Sequence, residues 1–109
     1  MIKSEPIAQI LSLYRKHGWT LRRVLLSPPL QTALEDSLAD LFGEAPVIAS
    51  EIDAVWFSRT SRPGQEAWEL RRLSETPFAL FETFDAEDDE EVREEARAEM
   101  ESRLKTSSN

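Results

Sequence analysis

The sequence predicts a single α+β domain in which helices pack on a mainly antiparallel sheet of four strands. The chain has 109 residues, the usual size of one domain, and 40% of them are hydrophobic, which is enough for one core. The spacing of these residues alternates between helix and strand periods in the order α-β-α-β-β-β-α. Because short connections join the strands, we expect antiparallel neighbours, with the helices packed largely on one face.

The first half of the chain predicts a helix, a strand and a second helix. Ser4 is a good capping residue, and the apolar residues that follow it fall at helical spacing. They are Ile7, Ile10, Leu11 and Tyr14. Gly18 ends this helix, and Trp19 to Leu26 (WTLRRVLL) has the composition of a strand. Ser27 and two prolines begin the second helix, whose apolar residues are Leu30, Leu34, Leu38, Leu41 and Phe42.

The second half predicts three strands and a last helix. Residues 44–50 form a connector, and Ile52 to Leu73 has the pattern of a hairpin with an Arg-Pro-Gly turn at the centre of the sheet. The segment from Phe78 to Phe84 has the pattern of a further strand, which we expect to be the best buried of the sheet. Asp85 to Glu91 has six acids in seven residues and begins the last helix, because negative charge stabilises a helix N-terminus. We expect a globular domain over 1–84, an acidic helix over 85–105 and a disordered tail over 106–109.

The composition excludes several chemistries. With no cysteine and one histidine, the chain lacks thiol nucleophiles and multi-histidine metal sites. Its three glycines fall at predicted turns, which leaves none for a phosphate-binding loop. We therefore expect no cofactor. Because no segment has the ~20 apolar residues of a membrane span and the N-terminus lacks signal-peptide features, we expect a soluble cytoplasmic protein without membrane partners.

The net charge of −8 lies mostly at the C-terminal end of the chain. Residues 1–84 hold 9 Lys and Arg against 11 Asp and Glu, whereas residues 85–109 hold 4 against 10. A nearly neutral body lacks the broad basic surface with which proteins bind nucleic acid without sequence preference. We therefore do not expect nucleic acid as a partner.

Arginine and tryptophan side chains on the predicted strands are candidates for an interaction surface. If they share an exposed sheet face, they form an arginine-aromatic patch of the kind enriched in binding hot spots. Such a patch would meet an acidic partner or be shielded by the chain's own Asp85 to Glu91. Alternatively, the tryptophans belong to the core and pack the helices on the sheet. The strand candidates are Arg22, Arg59, Arg71, Arg72, Trp56 and Trp68.

The last helix has only a narrow apolar stripe, in which Val92, Met100 and Leu104 are candidate anchors for a partner. The stripe either packs on the sheet or meets another protein. Since catalytic groups are scarce, we expect a non-enzymatic protein-protein interaction or adaptor module. Its partner is another protein or a second copy of the chain, joined through the last strand or the last helix.

Carboxylates on the hairpin provide an alternative. Asp53 begins one strand, and Glu69 and Arg71, two residues apart, project from the same face of the next. A carboxylate pair on adjacent strands can hold Mg²⁺, and a cation beside it can stabilise the charge that develops in phosphodiester hydrolysis. This arrangement predicts Asp53 and Glu69 as metal ligands and Arg71 as a catalytic residue.

The stretch from Ile7 to Leu73 resembles the restriction-endonuclease-like nucleases, which place an Asp at the start of one strand and Glu-x-Lys on the next. The resemblance implies a divergent metal-dependent nuclease with Arg71 in place of the lysine, although arginine hardly deprotonates. Acid-x-Arg also recurs in the last helix, at Glu91-Val92-Arg93, Glu95-Ala96-Arg97 and Glu101-Ser102-Arg103. The pattern is therefore not specific, and the simpler interpretation is a hairpin whose charges pair across the strands.

Overall fold

The computed structural model describes residues 1–107 as an α+β domain with one mixed sheet of five strands. Part of the expected disordered tail, residues 108 and 109, lies outside the described residues. None of the described helices is long and apolar enough to span a bilayer. The elements are α1 (Ser4–Lys16), β1 (Thr20–Leu26), α2 (Pro28–Ala33), α3 (Leu38–Phe42), β2 (Val47–Ala49), β3 (Ala54–Arg62), β4 (Gln65–Arg72), β5 (Ala79–Asp85) and α4 (Glu90–Thr106).

The sheet has the order β2-β1-β3-β4-β5, with β2 parallel to β1 and the other neighbours antiparallel. The prediction of a mainly antiparallel four-stranded sheet was therefore wrong in strand number and in the direction of one strand. The missed strand, β2, lies within the expected connector 44–50 and has only three residues, too few to show an alternating pattern. It runs parallel to β1 because α2 and α3 carry the chain back across the sheet.

The predicted second helix is divided into α2 and α3, with a turn over Leu34–Ser37 between them. The turn contains Glu35, Asp36 and Ser37, and aspartate and serine side chains compete with the helical backbone for hydrogen bonds. Leu34 and Phe42 are nevertheless both buried in the same cluster. The apolar spacing thus predicted the buried face correctly but not the break in the helix.

Each face of the sheet carries its own apolar cluster. On the first face, α1, α2 and α3 cover β1 and β3, with Ile7, Leu11, Leu30, Phe42, Val24, Val55 and Phe57 buried together. On the second face, α4 packs Met100 and Leu104 on Leu25, Ala54, Trp56, Trp68 and Leu70. Three helices therefore share one face as expected, while α4 covers the other and makes the fold three-layered.

The predicted hairpin is confirmed as β3 and β4, which lie inside the sheet and are joined at Gly64, whose φ is 77°. Directly opposed residues of the two strands share a face. Glu69 lies opposite Phe57 and Arg71 opposite Val55, which puts both charged residues on the first face. Trp56 and Trp68 project from the second face, toward α4.

The last strand, β5, is an edge strand and not the best buried one. Of its seven residues only Phe84 is buried. Phe81, which lies opposite Glu69 on the first face, is 59% exposed. The prediction failed because an aromatic-rich sequence does not reveal that no further strand or helix covers this side of β5.

Candidate functional site

Asp53 and Glu69 accept hydrogen bonds from different residues and lie apart along the sheet. Asp53 accepts hydrogen bonds from the backbone N–H of Ser27 (2.7 Å) and from its hydroxyl (3.0 Å). Glu69 accepts one from the hydroxyl of Tyr14. Asp53 bonds to Leu73 at the end of β4, four residues from Glu69, which corresponds to about 13 Å along a strand.

That separation exceeds the span of two ligands on one Mg²⁺ ion, which binds oxygen at about 2.1 Å. Asp53 lines one cavity with Arg72 and Leu73, whereas Glu69 and Arg71 line another with Tyr14. Among residues 1–107, no group of three or more His, Cys, Asp or Glu is placed to hold a metal ion. The structure therefore brings Glu69 and Arg71 together but separates both from Asp53.

Most of the expected interaction residues on the second face are covered by α4. Trp56, Trp68, Met100 and Leu104 are each less than 5% exposed, and the Trp56 indole N–H donates to Glu101 (2.8 Å). Arg72 lies over the ring of Phe78 (4.7 Å) and donates to the carbonyl of Leu104 near the end of α4 (3.4 Å). These side chains therefore hold α4 on the sheet.

Val92 is the exception among the candidate anchors of α4, because it is 52% exposed. Its backbone N–H donates to the side chain of Asp89 (2.9 Å), which caps the helix. Val92 lies in the first turn of α4, well before Met100 and Leu104, so its side chain stays at the surface while theirs enter the core.

Arg97 is a central residue of the second face that the sequence analysis missed. It is only 2% exposed, and its guanidinium group lies 4.1 Å from the ring centroid of Trp68. It also pairs with Glu90 (2.6 Å) and Glu94 (2.9 Å). A helical wheel that included charged residues would have found it, because Arg97 precedes Met100 by three positions and shares their face.

An arginine surface, consisting of Arg22, Arg59 and Arg71, lies at the end of the sheet beside the C-terminus of α1. Arg59 is at its centre: the guanidinium carbon lies 4.6 Å from the ring centroid of Trp19, and the group donates to the carbonyl of His17 (2.8 Å). The cation-π contact and the hydrogen bond to a backbone carbonyl together hold the guanidinium group in place.

Two cavities flank Arg59, and both are lined by Arg59 and His17. The first has a volume of about 480 Å³ and includes Tyr14, Trp19 and Arg71. The second has a volume of about 710 Å³ and includes Arg22 together with the hydroxyls of Thr20, Ser58, Thr60 and Ser61. Arg59 therefore lies between two cavities at the end of the sheet, one shared with Arg71 of the first face and one shared with Arg22, which lies over Trp68 of the second face. The carboxylates Glu69 and Glu66 also line the first and the second cavity, respectively.

A register shift in β1 explains how Arg22 reaches this surface. The pairing of β1 with β3 slips between Leu21 and Arg23, which interrupts the strict alternation of side chains. Arg22 consequently lies over the ring of Trp68 (5.6 Å), while Arg23 forms a two-point pair with Glu94 of α4 (2.8 and 2.9 Å).

Carboxylates lie near the arginine surface without pairing directly with it, because Glu69 lines the cavity of Arg71 and Glu66 lines that of Arg22. Within residues 1–107, Arg22, Arg59 and Arg71 form no ion pair with a carboxylate. Arg71, 9% exposed, donates to the neighbouring carbonyl of Arg72. The pKa of Tyr14 lies above its ordinary value, through burial first and then the hydrogen bond to Glu69. Both influences favour the protonated hydroxyl, which donates to Glu69.

The chain's own acidic segment is engaged elsewhere. Asp85 accepts a hydrogen bond from Gln65 (3.0 Å), Asp88 accepts one from the backbone of Asp85 (2.9 Å), and Glu90 pairs with Arg97. These carboxylates hold the start of α4 and do not pair with the arginine surface. Comparisons with protein-family models, with curated proteins and with solved structures find no match to this chain.

Proposed function

We propose that this chain is a non-enzymatic intracellular interaction module that binds an acidic segment of a partner protein at the arginine surface. The observation that carries the proposal is the stack of Arg59 on Trp19 between two cavities, with Arg22 and Arg71 on either side. The guanidinium group of Arg59 lies over an indole and is anchored by one N–H on the carbonyl of His17, and its remaining N–H donors suit carboxylates.

The charge balance supports this choice of partner. The chain has 21 acidic and 13 basic residues, yet among residues 1–107 none of the arginines of the arginine surface pairs directly with a carboxylate. The acidic segment of the chain itself has its own partners at the start of α4. An external acidic segment would complete the ion pairs, and the aromatic walls of Trp19 and Tyr14 would contact its apolar side chains.

The arrangement favours binding over hydrolysis. Glu69 accepts a hydrogen bond from the hydroxyl of Tyr14, and Asp53 accepts one from the backbone N–H of Ser27, so both carboxylates already serve the fold. No contact among the described residues favours the nuclease alternative, which stays a prediction.

A labelled synthetic peptide of sequence DAEDDEE, a copy of residues 85–91, tests the proposal by fluorescence anisotropy. We expect binding at low ionic strength that weakens as salt is added, because screening reduces the attraction between exposed charges. Arg59→Ala should lower the affinity about tenfold, which is the scale of a binding hot spot. Arg59→Lys should recover only part of it, since lysine keeps the charge but loses the planar fork.

Arg103→Ala is the matched control, because Arg103 is an exposed arginine of α4 far along the chain from the arginine surface. It should leave the affinity unchanged within about twofold. The proposal fails if the peptide does not bind at low salt. It also fails if Arg59→Ala and Arg103→Ala weaken binding equally, because the effect would then be one of overall charge.

A further inference from the structure

The two edges of the sheet differ in how well they are protected. The β2 edge is three residues long and follows Pro46, and short edge strands next to proline resist pairing with other chains. The β5 edge is seven residues long and has neither proline nor lysine. It also carries Phe81, which is 59% exposed. Of the two edges, β5 therefore offers the longer row of backbone groups to another strand.

Two hydrogen bonds establish which backbone groups of β5 are directed away from the sheet. The backbone N–H of Arg72 donates to the carbonyl of Phe78 (3.0 Å), and the backbone N–H of Ala86 donates to the carbonyl of Gly64 (2.7 Å). In an antiparallel pair, every second residue exchanges hydrogen bonds with its opposite neighbour. The register therefore directs alternate residues of β5 outward, and these are Ala79, Phe81, Thr83 and Asp85.

Side chains of the same molecule occupy one end of this outward row. The N–H of Asp85 donates to Asp88 (2.9 Å), and its carbonyl accepts from Arg93 (2.7 Å). The N–H of Thr83 donates to the side chain of Glu82 (3.1 Å). Both outward groups of Ala79 and of Phe81, and the carbonyl of Thr83, are left for a neighbour. The unoccupied stretch from Ala79 to Thr83 is centred on Phe81.

We propose that β5 pairs antiparallel with β5 of a second copy of this chain, about a two-fold axis at Phe81. The two Phe81 residues then exchange a pair of hydrogen bonds, and the N–H of each Ala79 meets the carbonyl of Thr83 in the other copy. The outward N–H of Thr83, held by Glu82, is not required. Four backbone hydrogen bonds therefore form between the copies, while the Ala79 carbonyls stay open to solvent because Glu82 holds the Thr83 N–H groups opposite them.

The side chains also fit a second copy. Phe81 of each copy lies beside its symmetry mate on the first face, which covers the most exposed aromatic ring of the chain, and cross-strand aromatic pairs stabilise sheets. Ala79 lies opposite Thr83, and the only charged residue in the stretch, Glu82, lies opposite Leu80 rather than its own mate. The paired stretch is short, so the interface is smaller than the ~1,200 Å² of stable complexes and the dimer is transient.

Sedimentation velocity over a concentration series tests this inference. We expect the mass-average to rise from monomer toward dimer with increasing concentration. Added salt should strengthen the association, because it screens the repulsion between two chains of charge −8. Phe81→Pro should weaken the dimer about ten- to a hundredfold, because it removes two hydrogen bonds in addition to the ring contact. Proline is tolerated at an outward position of an edge strand.

Phe81→Ala is the matched variant, because it removes the ring but keeps the N–H, so it should weaken the dimer less than proline. Ala79→Pro provides a second backbone test that leaves Phe81 in place. Circular dichroism and a melting curve establish that each variant is folded. The proposal is overturned if the chain is a monomer at all concentrations. It is also overturned if neither Phe81→Pro nor Ala79→Pro weakens the dimer. An association that salt weakens overturns it as well, because the copies would then be held by contacts between opposite charges rather than by β5 pairing.

Discussion

On the first face of the sheet, α1 lies on Val24, Val55 and Phe57 through apolar side chains, and Tyr14 stacks on Phe57 at 4.1 Å. On the second face, α4 lies on Trp68 and Phe84 through the guanidinium group of Arg97. Arg23 and Glu94 add an ion pair from the sheet to the helix. The sheet thus holds α1 mainly by apolar packing, whereas charged side chains contribute substantially to holding α4.

The difference follows from the sequences of the two helices. In α1, the larger side chains of Ile10 and Tyr14 pack beside two buried apolar residues, whereas in α4 only Ala96 packs beside two. The rest of α4 is mostly charged. A helix with so narrow a stripe cannot bury much apolar surface. The flat guanidinium group of Arg97, stacked on aromatic rings, fills the space that a leucine would fill on the first face.

The largest expected effect comes from the first face. Phe57→Ala should lower the free energy of unfolding by about 3–5 kcal/mol, because it removes a fully buried ring and the stacking partner of Tyr14. Urea denaturation measures it. Phe81→Ala is the control: Phe81 lies in the same row across the strands but is 59% exposed, and its loss should change stability by no more than about 0.5 kcal/mol. Equal losses would mean that burial does not distinguish the two residues.

The sequence predicted what local patterns determine. The hairpin of β3 and β4, its central place in the sheet and the apolar face of α1 follow from periodicity and turn residues, and all three are found in the structure. What failed depends on long-range contacts. Nothing local in Val47–Ala49 says that it pairs with β1, and nothing local in β5 says that no element covers Phe81.

The candidate site was predicted only in part for the same reason. The arginines were found by residue type, but the partners of Arg59 and Arg71 come from α1 and its C-terminus, more than forty residues earlier in the chain. Arg97 was missed because only apolar residues were counted in the stripe of the last helix. Its place in the interface becomes visible only when Trp68 and Phe84 are known to lie beneath it.

A smaller effect is expected where charge helps to hold α4. Arg97→Ala should cost about 2 kcal/mol, the value of a desolvated cation over an aromatic ring together with lost packing. Arg97→Met should recover most of this loss, because an apolar side chain of similar length often replaces a buried ion pair without cost. Thermal denaturation compares both with Arg103→Ala, an exposed control. If methionine is as damaging as alanine, the charge of Arg97 matters more than its shape.

The smallest effect is the loss of stability at low pH, which should differ between the two faces of the sheet. The hydrogen bond from Arg23, followed by the charges of Arg23 and Arg97, lowers the pKa of Glu94 below its ordinary 4.5. Arg97 likewise lowers the pKa of Glu90. A carboxyl group whose pKa is lower in the folded state stabilises the fold above its unfolded pKa, and this contribution is lost as the pH falls through the folded value.

Acidification should therefore loosen α4 before α1. Amide hydrogen exchange between about pH 7 and about pH 3 should show protection in α4 declining first, once intrinsic exchange rates are corrected. Glu94→Gln should reduce stability at neutral pH by at most about 1 kcal/mol, since Glu94 is half exposed and screened, and the difference from the wild type should disappear in acid. Glu95 is an exposed neighbour, and Glu95→Gln should change stability neither at neutral pH nor in acid. If α1 loses protection together with α4, the two faces unfold as one unit and their different chemistry has no separate consequence.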